Sequence, residues 1–123
     1  MARRSYLALL ILSLVLLVAC GPDTIFLRPA LDTPDQHVKN GYNLLTRGKI
    51  DAAHAEFARA KSLDDGFAPA YVGLALVQGH RGDIDGGVET LEKARGIATT
   101  PDEAKSVERG FETLEGMRST AQN

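Results

Sequence analysis

The sequence predicts an all-α domain, a stack of helix-turn-helix units, preceded by a separate N-terminal leader. Three observations predict it. Arg47-Gly48-Lys49-Ile50-Asp51 returns 34 residues later as Arg81-Gly82-Asp83-Ile84-Asp85, and a fixed period of that size marks a repeat array. Between these landmarks the apolar residues recur at spacings of three and four, the helical period. Glycines and Thr-Pro-Asp triplets punctuate the pattern where helices stop and start.

The leader comes first. Arg3 and Arg4 precede an apolar run from Tyr6 to Val18, then small Ala19 and the only cysteine, Cys20, the layout of a secretory signal. As a helix the run from Tyr6 to Cys20 spans roughly 22 Å, short of the roughly 30 Å hydrocarbon core. Leu17-Val18-Ala19-Cys20 resembles a bacterial lipobox, at which lipoprotein precursors are acylated on sulfur and cleaved before the cysteine. The resemblance implies a lipoprotein signal peptide over residues 1–19 and a covalent lipid (palmitate among the acyl groups) on Cys20. An uncleaved anchor is the alternative, since the uncharged stretch extends from Ser5 to Pro22. Arg3-Arg4-Ser5-Tyr6-Leu7 partly resembles a twin-arginine signal, although so short and apolar a leader fits the general secretion route better. Gly21, rather than Asp, follows the cysteine. By the enteric sorting pattern this favours the periplasmic face of the outer membrane over the inner membrane.

Cys20 has no His or second Cys nearby, so neither catalysis nor metal binding is expected of it, and processing leaves no cysteine for a disulfide. The chain carries 14 Lys and Arg against 16 Asp and Glu, and losing Arg3 and Arg4 makes the remainder more acidic. That balance argues against nucleic acid. Residues 20–33 contain Pro22 and Pro29, lack an apolar period, and are expected to form a lipidated tether. Ile25-Phe26-Leu27 is more apolar than a spacer needs; it either packs on the domain or docks a partner.

Residues 34–101 hold the two repeats. In the first, Val38, Gly41, Tyr42, Leu44 and Leu45 make one stripe and Ile50, Ala53, Phe57 and Ala60 the next. In the second the stripes are Tyr71, Leu74, Ala75 and Gln78, then Ile84, Gly87, Val88, Leu91 and Ala94. Small Gly41, Ala53, Ala75 and Gly87 sit where paired helices approach closely, and larger residues there overpack the contact. These residues resemble the tetratricopeptide repeat family, whose period is 34. The turn glycine and the run Ala53, Phe57, Ala60 match; His37 stands where an aromatic is usual, and Asp65 where a proline is usual. Gly87 replaces the usual Ala, which predicts a looser second repeat.

Thr33-Pro34-Asp35-Gln36 and Thr100-Pro101-Asp102-Glu103 both read as capping boxes. The second opens a C-terminal capping helix and tail, residues 102–123, resembling the first helix of a third repeat. Its apolar face is Ala104, Val107, Phe111 and Leu114, and its polar back carries Lys105, Glu108, Arg109, Glu112 and Glu115. Gly116, 34 beyond Gly82, extends the period. The N-terminal hairpin shows no comparable cap.

His37, His54 and His80 lack partners at metal-binding spacing, and Asp83-Ile84-Asp85-Gly86 lacks the further ligands of a calcium loop, leaving its aspartates turn and cap duty. There is no Gly-x-Ser-x-Gly elbow, phosphate loop or dinucleotide fingerprint, so no catalytic residue, metal, cofactor or small-molecule substrate is expected. The family resemblance implies a concave groove lined by the first helix of each repeat: Val38, Tyr42, Leu45, Val72, Leu76 and His80. Of the family's carboxylate-gripping clamp only Lys39 is present, so an apolar peptide segment is the expected ligand, with self-occupancy by the cap helix or Ile25-Phe26-Leu27 as the alternative. The function this implies is a membrane-anchored adaptor binding a protein partner in the cell envelope. The alternative is a self-associating structural subunit.

Overall fold

The computed structural model describes residues 32–123. The leader, Cys20 and Ile25-Phe26-Leu27 lie outside the described residues. Within them the chain forms five helices and no strand: α1 (Pro34–Thr46), α2 (Ile50–Leu63), α3 (Ala68–His80), α4 (Ile84–Ile97) and α5 (Pro101–Ala121).

The two tight turns share one construction. After α1, the Lys49 amide donates to the Leu44 carbonyl and the Gly48 amide to Leu45, both at 2.9 Å; after α3, Asp83 and Gly82 donate to Gln78 and Gly79 at 3.0 Å. This paired bonding satisfies the last helix carbonyls and needs a left-handed residue beyond the helix end. Gly48 and Gly82 supply it, with φ of 69° and 87°. Each turn returns the next helix against the one before, giving the hairpins α1–α2 and α3–α4.

Hairpin packs on hairpin through α3, which contacts all four other helices. Its burial follows: Ala68, Ala70, Tyr71, Val72, Gly73, Ala75, Val77 and Gly79 are all buried, whereas α1 buries only Gly41 fully. Phe57 of α2 and Leu91 of α4, one period apart, are both fully buried. Phe57 fills the space that two glycines leave: a Cβ at Gly41 would stand 2.5 Å from its ring, and one at Gly73 would clash with it as well.

Four expectations change here. The second hairpin is not loosened by Gly87, because a Cβ there would meet the Ala75 carbonyl oxygen and Leu114 Cδ1, each at 2.9 Å. Leu114 of α5 occupies the room. The N-terminal hairpin does have a polar end: Gln36, His37, Lys39, Asn40 and Asn43 stand where the second hairpin has Ala70, Tyr71, Gly73, Leu74 and Val77. The side of the hairpin that is buried in the second unit is thus written in polar residues in the first. The capping box is complete only at Thr100, where the Glu103 carboxylate accepts from the Thr99 and Thr100 amides at 2.7 and 3.1 Å. At Thr33 the hydroxyl accepts from the Gln36 amide, but the Gln36 side chain turns to Asn40 instead.

The fourth change is the register of α5. Gly116 is no turn residue; the helix runs through it to Ala121. Gly110 is the buried glycine, and a Cβ on it would stand 2.8 Å from Leu91, as Gly73 lies against Phe57. Gly73 and Gly110 are 37 residues apart, as are Arg81 and Arg118. Arg81 reaches Asp51 at the start of α2, and Arg118 reaches Asp85 at the start of α4. The extra residues lie within α5 itself, which starts about one helical turn earlier relative to its buried glycine than α3 does and keeps the same buried face.

A candidate protein-binding trough

Helices α1, α3 and α5 form one side of the stack, α3 touching both of its neighbours. Over α3 lies a trough of about 300 Å³ whose floor is Val72, Leu76 and Gly110, with Tyr42 on one wall and Ser106, Arg109 and Thr113 on the other. Toward the C-terminal ends of α3 and α5 lies a second, more open depression lined by Gly79, His80, Thr113, Gly116 and Met117. Thr113 borders both.

The six residues expected in the groove divide among three environments. Tyr42 and Leu76 line the trough, and exposed His80 lines the depression beside it. Val72 reaches it only at the floor: it is 2% exposed and belongs to the core with Leu91, Val107 and Leu114. Val38 and Leu45 are half-buried and pack against the cluster around Phe57, away from the trough lining.

Arg109 is the residue that the pattern reading assigned elsewhere. The polar back of the last helix does carry Glu108, which pairs with Arg95 at 3.1 Å. Arg109 instead faces the trough. With the 37-residue shift it takes the place held by Val72 in α3, and Thr113 that of Leu76. Its guanidinium lies near the Tyr42 phenol, which burial pushes above its ordinary pKa against the opposing pull of the Ser106 hydroxyl and Arg109. Arg59, Arg81, Arg95 and Arg118 each reach a carboxylate; among the described residues Arg109 reaches none.

The opposite side of the molecule carries a larger furrow of about 600 Å³ between α2 and α4. Its chemistry is closed on itself. Lys61 and Lys93 sit over the Tyr71 ring at 5.3 and 4.9 Å from its centre, favourable cation–π distances. The Tyr71 hydroxyl donates to Asp65 at 2.6 Å. Burial and then Asp65 push that phenol up to about 12, and Asp65 is lowered chiefly by the same bond.

The histidines are scattered. His37 sits at the polar N-terminal end with both ring nitrogens engaged, Nδ1 on Glu56 at 2.7 Å and Nε2 on Asp32 at 2.8 Å. Arg59 holds the other side of Asp32, and Asn40 donates to Glu56. His54 lines the far furrow. Asp83 caps α4 through the Gly86 amide at 3.0 Å, the cap duty expected of it, whereas Asp85 binds Arg118 of α5 instead. Among the described residues no group of three or more His, Cys, Asp or Glu is arranged for a metal ion, and no helix is long and apolar enough to cross a membrane.

The His37 clamp and Arg109 were missed from the sequence because each depends on partners that only folding brings together. Aligning Gly110 with Gly73, rather than Gly116 with Gly82, is the signal that places Arg109. Compared with models of known protein families and with characterised protein sequences, the chain matches none.

Proposed function

We propose that the protein is a lipid-anchored adaptor of the tetratricopeptide repeat type, holding a protein partner at the bacterial envelope. The observation that carries this is the trough across α3, where Tyr42, Leu76, Arg109 and Thr113 from three helices converge on one side of the stack. The 34-residue period, the repeated glycine turns and the Phe57–Leu91 equivalence support the repeat reading. The lipobox Leu17-Val18-Ala19-Cys20 supports the anchor, and Gly21 after the cysteine favours the periplasmic face of the outer membrane over the inner membrane.

In this reading the domain performs no covalent chemistry, takes no cofactor and carries only its lipid. Trough residues grip a segment of the partner, and anchoring raises the local concentration that so small a surface needs. The polar N-terminal end and the charged back of α5 both weigh against self-association by end-to-end stacking.

The test is crosslinking in native membranes followed by identification of what co-purifies. A specific partner retained by wild type and lost from Tyr42→Ala plus Leu76→Ala is the expected result, and an unchanged partner list refutes the trough. Lipid labelling of wild type but not of Cys20→Ala is expected; equal labelling removes the anchor.

A further inference from the structure

We infer that the trough takes an internal acidic residue of the partner, an aspartate or glutamate flanked by apolar side chains, seated against Arg109. This rests on the adaptor reading and specifies what the adaptor binds. It replaces the purely apolar ligand expected from the sequence.

Charge complementarity is the first support. The trough holds one cation, Arg109, with the hydroxyl-bearing Tyr42 and Ser106 beside it. Its chain neighbour Glu108 is taken by Arg95, and among the described residues no other carboxylate reaches the guanidinium. A forked donor with no acid of its own, beside hydroxyl groups, suits a carboxylate. The adjoining floor of Val72, Leu76 and Gly110 offers apolar surface, so the acid is flanked by apolar side chains.

The second depression beside the trough is the second support. The depression lined by Gly79, His80, Gly116 and Met117 shares Thr113 with the trough, so chain beyond the acid has surface to lie on, which a partner ending at the acid would leave bare. The acid therefore belongs to a side chain within a segment.

The test is selection of random short peptides, displayed either internally or with free C-termini, on the full chain purified in detergent. Wild type is expected to enrich peptides with an internal Asp or Glu beside Leu, Ile or Phe. Arg109→Glu, a change at an exposed position, is expected to switch that preference to Lys or Arg. A peptide selected on wild type should bind Arg109→Ala about tenfold more weakly, as loss of a charge-assisted pair implies. Three results overturn the inference while leaving the adaptor intact: apolar peptides with no acidic preference, acids enriched only at free C-termini, or the same preference from Arg109→Glu. No enrichment by wild type overturns the adaptor reading too.

Discussion

Tyr42 stands edge-on to Phe57, ring centres 5.2 Å apart and planes at 76°, and through this contact the core sets the wall of the trough. Phe57 is fully buried and held between Gly41 and Gly73, so it cannot yield. Edge-to-face pairs of this kind contribute about 0.5–1.5 kcal/mol beyond area burial. Tyr42 is therefore positioned by packing, with its hydroxyl beside Ser106 and Arg109 in the trough.

Glycine substitutions separate packing from propensity. Alanine in a helix is favoured over glycine by about 0.8–1.0 kcal/mol, which Gly116→Ala should realise, since nothing lies within 4 Å of a Cβ there. Gly41→Ala should instead destabilise by about 1–3 kcal/mol, because its Cβ would press on the immobile Phe57 ring. Denaturant unfolding of both variants checks this. A Gly41→Ala protein as stable as wild type would show that the ring has room to move.

His37 makes the stability of the N-terminal end depend on pH in two directions. Burial works against the charged ring, but hydrogen bonds to Asp32 and Glu56 outweigh it and raise its pKa above the ordinary 6.5. Its contribution is full below 6.5 and is lost as pH rises through the raised folded value. Asp32 is held down to about 2 by Arg59 and His37. Its contribution is present above the ordinary 3.8 and is lost as pH falls toward about 2. The Tm difference between wild type and His37→Gln should thus be greatest between pH 3.8 and 6.5 and shrink on the alkaline side. Parallel melting curves across pH would contradict the clamp.

The two Thr-Pro starts should respond unequally. Glu103→Ala removes the acceptor for the Thr99 and Thr100 amides and should cost about 1 kcal/mol. Gln36→Ala leaves the Thr33 hydroxyl cap in place and should stay within about 0.5 kcal/mol. Thermal melting distinguishes them, and equal losses would mean that both caps close in solution. The folded-state pKa of Glu103 is lowered, first by the Thr99 amide. Its share of stability is accordingly present above the ordinary carboxylate value and lost as pH falls through the lowered one.

Much of this architecture was written in local signals. Gly48 and Gly82 mark turns whatever surrounds them, because only glycine takes their positive φ without strain. Phe57 and Leu91 repeat at the period that the turns define. The register of α5 escaped the pattern because its period was inferred from Gly116, an exposed residue bearing no packing constraint; buried Gly110 carries the register. Val72 was placed in the groove by equivalence to Val38, although a central helix flanked on both sides buries what an end helix leaves half-open. The His37 clamp joins Asp32, α1 and α2 through long side chains, and no spacing rule encodes that.

Photocrosslinking in native membranes tests the central claim most directly, with the crosslinker placed in turn at Leu76 and Thr113 in the trough and at Glu89 and Lys93 on the far face. The account predicts a discrete adduct to one partner protein from both trough positions and none from the far face. Adducts from the far face alone, or the same pattern from both faces, would contradict it.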